Sequence, residues 1–193
     1  MSVPINLNFY FPINQEGIYR YFKTIAQNVH CPVIIYHNPR FSNIDFSLDL
    51  IEKLAEVPNI NYIKYASANA GKVLSIINKC KNKLKVFSAT ANIPLLVLML
   101  GGVGWMSGPA CIIPRQSVKL FELAKQKKWD EAIELQKQLW LINNLFQKYS
   151  LAACIKAGLE IQGFPVGDPV APQKPLSVSE KEEIESALKN ISW

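Results

Sequence analysis

Histidine, cysteine and arginine are scarce in this chain, and each shortage excludes something. The 193 residues hold two histidines, His30 and His37, and four cysteines, Cys31, Cys80, Cys111 and Cys154. No Cys-x-x-Cys spacing occurs, so no zinc site is expected, and no other metal or cofactor is implied. The four cysteines read as buried free thiols in a reducing compartment. The net charge is +6, yet it comes from 18 lysines and only 3 arginines. Base readout and bidentate phosphate contacts favour arginine, so nucleic acid is not an expected partner. The lysine-rich stretch from Lys79 to Lys85 reads instead as a solvated loop. No Gly-x-Gly-x-x-Gly or Walker-type loop follows any apolar run. The longest such run, Ile93 to Met106, is broken by Pro94, Gly101, Gly102 and Gly104. It is shorter than the roughly 20 residues a bilayer needs. The first residues carry neither a basic start nor a small-residue cleavage site. A cytoplasmic protein without membrane contact is expected.

What the chain does have is a regular alternation. Hydrophobic residues make up 49% and charged residues 19%, which excludes disorder and is ample for a core. Strand-like runs at Ile5 to Phe11, Pro32 to Tyr36, Ile60 to Ala66, Leu84 to Ser88 and Gly102 to Ser107 are separated by helical patterns. Those patterns cover Gln15 to Val29, the stretch from Ser47 to Ala55, Ala70 to Lys79, and Ile93 to Leu100. Alternating β and α units of this length predict a parallel βαβ architecture. From Pro114 onward the pattern is helical: Pro114 to Lys127, Trp129 to Tyr149, Leu151 to Gln162 and Ser179 to Ile191. Ser177 and Ser179, close to Glu180 and Glu182, offer N-caps for the last helix. The expected division is residues 1–113 as an incomplete (β/α) barrel and 114–193 as a helical region packed on it.

An open nucleotide-binding sheet would show a glycine-rich first turn. A (β/α) barrel instead places its chemistry at the C-terminal ends of its strands, and the unusual residues fall there. Lys64 stands near the end of the apolar run Ile60 to Ala66. Turned into a barrel, its amine would be desolvated, which disfavours the cation and makes it a nucleophile able to form a Schiff base. The plainer alternative is a lysine that snorkels to solvent. Tyr36 ends the run Pro-Val-Ile-Ile-Tyr, where it could relay protons or simply be a half-buried aromatic.

Tyr36-His37-Asn38-Pro39, followed by Ile63-Lys64-Tyr65-Ala66-Ser67, resembles the paired Y-x-x-P and I-K-x-A-S/T motifs of the dihydrodipicolinate synthase/N-acetylneuraminate lyase family. Phe9-Tyr10 with Gln15-Glu16-Gly17 resembles that family's Y-Y-N-x-P-x-Q-E-G, and Gly102 to Ser107 its G-x-x-G-V-I-S strand. Matches continue through Ile155-Lys156-Ala157, Gly163 and the segment from Pro169 to Leu176. The resemblance implies a class I, Schiff-base aldolase, lyase or synthase acting on pyruvate or a related 2-keto acid. It implies a TIM barrel with C-terminal helices and a homo-oligomer, usually a tetramer. Lys64 would form the Schiff base and Tyr36 would relay the proton. Met106 would present a backbone carbonyl to the keto acid, Ala89 would stand where a small glycine is usual, and Tyr10 would reach a neighbouring subunit's site.

Three departures accompany the match. The chain starts at the family's fourth strand, so the G-T-T-G-E loop that holds the carboxylate is not in it. Phe41 stands where dihydrodipicolinate synthases have an arginine, with Arg40 one position away. Asn43 replaces a glycine, in a turn where asparagine accepts positive φ. Two expectations follow: a keto-acid enzyme, or a truncated, non-catalytic member needing the missing N-terminal half.

Overall fold

A computed structural model describes residues 1–4, 13–67 and 69–191. The chain divides into two units, Met1–Met106 and Ser107–Trp193. The division precedes the boundary expected after residue 113.

The first unit alternates strand and helix: β1 (Ser2–Pro4), α1 (Gln15–Gln27), β2 (Val33–His37), α2 (Pro39–Ser42), α3 (Leu48–Ala55), β3 (Ile60–Tyr65), α4 (Ala70–Cys80), β4 (Lys85–Ser88), α5 (Pro94–Met99) and β5 (Gly104–Trp105). The strands form one sheet in the order β1-β2-β3-β4-β5, and every pairing is parallel. An α/β unit with a parallel sheet is what the alternation predicts. The expected first strand, Ile5 to Phe11, lies outside the described residues, and β1 occupies Ser2–Pro4.

Helices α1 to α4 each begin at a side-chain cap, α5 has none, and α1, α3 and α4 each bury one stripe. The Asn14 side chain accepts the Gly17 N–H at 2.8 Å, and Ile18, Phe22 and Ala26 follow at helical spacing on the buried face of α1. The Ser47 hydroxyl accepts from the Leu50 N–H, and Leu50, Ile51 and Leu54 turn inward. Asn69 caps α4, whose Val73, Ile76 and Cys80 are buried. These stripes share one core with Ile35, Ile63 and Val86 of the sheet. Burying one such aliphatic side chain stabilises the fold by about 1.5–3 kcal/mol.

Two glycines are required where α5 turns into β5. Gly101 has φ of 102°, a conformation only glycine adopts without strain. A Cβ on Gly102 would lie 2.8 Å from the Val97 carbonyl oxygen and 2.6 Å from Val97 Cγ1, so backbone contact demands its absence.

Three local expectations change. The strand expected over Gly102 to Ser107 shortens to Gly104–Trp105, although the Val103 N–H donates to Val86 O at 2.9 Å and the Met106 N–H to Ser88 O at 3.0 Å. The short helix α2 is an addition. Pro39 starts it, and Asn43 ends it at φ of 52°, the left-handed geometry expected of asparagine there. The lysine stretch is not wholly a loop. Lys79 belongs to α4 and pairs with Asp49 and Glu52, and Lys83 pairs with Glu56 at 2.6 Å.

The second unit holds a 3-10 turn (Pro109–Cys111) and the helices α6 (Pro114–Lys125), α7 (Trp129–Gln138), α8 (Trp140–Lys148), α9 (Leu151–Ile161) and α10 (Val178–Lys189). The helix expected from Trp129 to Tyr149 divides at Leu139, whose ψ of −5° departs from the helical value near −42°. Ser177 and Glu180 form a reciprocal capping box at the start of α10. Ile112, Ile113, Ile142, Cys154 and Ile184 are among its fully buried residues. Burial pushes the Cys80 and Cys154 thiols up to about 11. Cys31 and Cys111 correct the expectation of four buried thiols. Both are exposed, Cys31 in the connection before β2 and Cys111 at the end of the 3-10 turn Pro109–Cys111.

Among the described residues no helix is long and apolar enough to cross a membrane. Among those same residues, no three His, Cys, Asp or Glu side chains converge to hold a metal ion.

Candidate active site

Strand register sorts the sheet residues into rows. Tyr36, Lys64, Phe87 and Gly104 are paired across β2 to β5. The next row up is His37, Tyr65, Ser88 and Trp105. Side chains alternate between faces, so these two rows point opposite ways. Burial agrees: His37, Tyr65 and Ser88 are buried with the helices, whereas Tyr36, Lys64 and Phe87 are half-buried.

The ladder continues one residue past the strands. The Ala66 N–H donates to His37 O at 2.9 Å, Ala89 to Tyr65 O at 3.1 Å, and Met106 to Ser88 O at 3.0 Å. Asn38, Ala66, Ala89 and Met106 therefore form a third row on the face of Lys64. Two residues of strand rise place it about 7 Å further along. The sequence-derived candidates thus gather at one edge: Lys64 and Tyr36 side by side, Ala89 and Met106 one layer above. Tyr10 lies outside the described residues.

The Lys64 ammonium stands over the Tyr36 ring, with Nζ 3.8 Å from the ring centroid. A cation on an aromatic face gains about 0.5–1 kcal/mol at a partly solvated site. That contact fixes both side chains on the same side of the sheet. Lys64 remains half-buried rather than sealed from solvent. The Tyr36 oxygen accepts from Asn38 Nδ2 at 3.3 Å. Phe87, in the same row, packs on Tyr62 two residues toward the N-terminal end of β3, at 5.6 Å between ring centroids.

His37 is one residue from Tyr36 but belongs to the other face. Its ring stacks on Phe46 at 3.9 Å, and only 1% of it is exposed. Nε2 lies 3.1 Å from Asp45 Oδ1 and 3.3 Å from the Phe46 amide. A neutral ring serves one of them at a time, as donor to the carboxylate or acceptor from the amide. Burial holds its pKa down to about 4, against the upward pull of Asp45. Lys72 bonds both Asp45 Oδ1 and the Phe46 carbonyl, which ties the loop before α3 to α4.

Sequence reasoning missed Asn38 and Ala66. The available signal was spacing: each is two residues beyond Tyr36 or Lys64 on a strand, hence on the same face. The arrangement as a whole offers an amine, a phenol and open backbone carbonyls at the C-terminal edge of a parallel sheet. Such a set can condense the amine with a carbonyl compound and move protons beside it.

Fold and site together define a parallel βα protein with a lysine–tyrosine pair at its strand ends. The chain belongs to the dihydrodipicolinate synthetase family, whose profile matches residues 5–191. It is 30% identical over 181 residues to 4-hydroxy-tetrahydrodipicolinate synthase 1 of Halalkalibacterium halodurans, covering 93% of this chain and 61% of that protein. It is 27% identical to the 4-hydroxy-tetrahydrodipicolinate synthase of Archaeoglobus fulgidus, covering 95% and 63%. The chain thus spans about three fifths of the length of these curated relatives. Among solved structures, dihydrodipicolinate synthase from Aquifex aeolicus superposes with a TM-score of 0.91 at 25% identity, over 97% of this chain and 64% of that one. The chloride-inhibited dihydrodipicolinate synthase from Acinetobacter baumannii, complexed with pyruvate, gives 0.89 at 28% identity, over 98% and 65%.

Proposed function

We propose that this chain carries the Schiff-base centre of a class I aldolase, lyase or synthase acting on pyruvate or a related 2-keto acid, within a TIM-type barrel. The observation that supports this best is the Lys64–Tyr36 contact at 3.8 Å on the open face of the sheet. The relative from Acinetobacter baumannii, solved in complex with pyruvate, supports the choice of substrate class.

In this reading Lys64 gives up a proton and its free amine attacks the keto carbon. The carbinolamine then loses water to give a protonated imine. Net, an ammonium and a ketone become an iminium and one water. Tyr36 gives its phenol proton to the departing carbinolamine hydroxyl, which leaves as water, and takes back the proton that the lysine nitrogen releases. Ala89 leaves room beside the keto acid, and the Met106 carbonyl faces it, the Met106 N–H being held by Ser88. Tyr10 would contribute across a subunit contact in a homo-oligomer. The free thiols fit a cytoplasmic setting.

Incubation with pyruvate and borohydride tests the reading. Reduction of the iminium fixes a three-carbon adduct, visible in the intact mass. Wild type should gain one adduct and Lys64→Arg none; equal labelling of both rejects the reading.

A second reading has the site work only when further βα units complete the barrel. It is favoured by the sheet itself, in which β1 and β5 each pair with a single neighbour among the described residues. An adduct that forms only after addition of the first βα units of a relative would select it.

A further inference from the structure

We propose that Asn38 is a positioning residue for Tyr36: it donates an N–H to the phenol oxygen, so that the phenol's own hydrogen is left to face the reacting partner. The catalytic meaning of that contact rests on the keto-acid reading, but the contact can be decided without it.

The orientation of the Asn38 amide is set by two neighbours. Asn38 is the N-cap of α2, in extended conformation, and its Oδ1 accepts the Arg40 N–H at 3.2 Å. With the oxygen turned to the helix, the amide nitrogen must face the other way. There it meets Tyr36 Oη at 3.3 Å. A flipped amide would lose the Arg40 bond, since it would set NH₂ against an N–H donor, and the phenol would have to turn its own hydrogen to the amide oxygen. Pro39, with no N–H of its own, starts the helix directly after the cap and fixes the backbone there. Strand alternation allows the pair, because residues two apart share a face.

Two consequences follow for the phenol. A donor at its oxygen stabilises negative charge that develops there as the proton leaves. The Lys64 ammonium, 3.8 Å from the ring centroid, acts in the same direction. Donation also fixes the direction of the relay. Asn38 Nδ2 can only give, so the phenol O–H is free to point along the third row, toward Ala66, Ala89 and Met106.

The test uses two substitutions. Asn38→Ser keeps an oxygen that caps α2 but is too short to reach the phenol. Asn38→Asp keeps the cap and turns the donor into an acceptor. In protein labelled with ¹³C at tyrosine Cζ, the Tyr36 resonance is assigned by its loss in Tyr36→Phe. It should move in Asn38→Ser, and by a different amount in Asn38→Asp, while the resonances of the other tyrosines stay in place. A stationary Tyr36 resonance overturns the proposal. In the kinetic arm, the rate of pyruvate trapping should fall about 3- to 10-fold in Asn38→Ser, the factor one ordinary hydrogen bond supplies. In a Tyr36→Phe background the same substitution should have no further effect. Equal losses in both backgrounds would mean a general structural effect and overturn the positioning role. Should wild type trap no pyruvate, even with the first βα units of a relative added, while the Tyr36 resonance still moves, the keto-acid reading fails and the Asn38–Tyr36 contact stands.

Discussion

His37 should make the folded protein sensitive to mild acid, and the size of the effect follows from its surroundings. The ring is buried against Phe46, and burial depresses its pKa from 6.5 to about 4. Above the ordinary value the ring is neutral in both folded and unfolded chains and adds no pH dependence. Between 6.5 and 4 the unfolded chain takes a proton that the folded protein refuses, so stability falls as pH falls. Below about 4 both states are protonated and the loss levels off. At about pH 5 the linkage amounts to about 2 kcal/mol. The neighbouring carboxylate does not confuse this window. Partial burial pushes Asp45 up, but the bonds from Lys72 and His37 outweigh it and hold it below its ordinary 3.8. Its own contribution is present above that value and is lost only at lower pH. The assay is urea unfolding of wild type and His37→Gln at about pH 7 and pH 5. Wild type should lose about 2 kcal/mol more than the variant over this range. Parallel losses in the two proteins would refute the assignment of a neutral, desolvated His37.

Other outcomes follow from the same structure. Gly102→Ala would drive a methyl against the Val97 carbonyl and should destabilise by about 1–3 kcal/mol in chemical denaturation. An unchanged midpoint would mean that the α5–β5 turn relaxes freely. Tyr36→Phe retains the ring beneath Lys64 and removes the phenol proton. Hydrogen–deuterium exchange at the pyruvate methyl should slow about 10²- to 10⁴-fold, and a loss below about threefold would remove Tyr36 from the proton path.

Much of this architecture was legible in the chain because local signals agreed with one another. Ser47 precedes an apolar stripe at helical spacing and does cap α3, and the apolar run from Pro32 to Tyr36 does form a strand, buried on one face and half-buried on the other. The pairing of Lys64 with Tyr36 was legible only through motif resemblance. Strand register brings them together across 28 residues, and no periodicity reports register. Other features were hidden for identifiable reasons. The helix α2 is four residues long, too short to show a period, and its start depends on Asn38 serving both a cap and a side-chain donor. The burial of His37 could not be read from its neighbours in sequence, since Phe46 and Asp45 reach it from a loop. The break at Leu139 falls in a continuous helical pattern without glycine or proline; nothing in the structure explains it.

The measurement that bears most directly on the central claim is peptide mapping after reduction of a pyruvate–protein mixture with borohydride. A single modified residue, Lys64, is expected at a stoichiometry approaching one, while the lysines outside the site stay unmodified. Lys85, on the neighbouring strand β4 but exposed at the opposite end of the sheet, is the internal control. Modification spread evenly over Lys64, Lys85 and the surface lysines would contradict it.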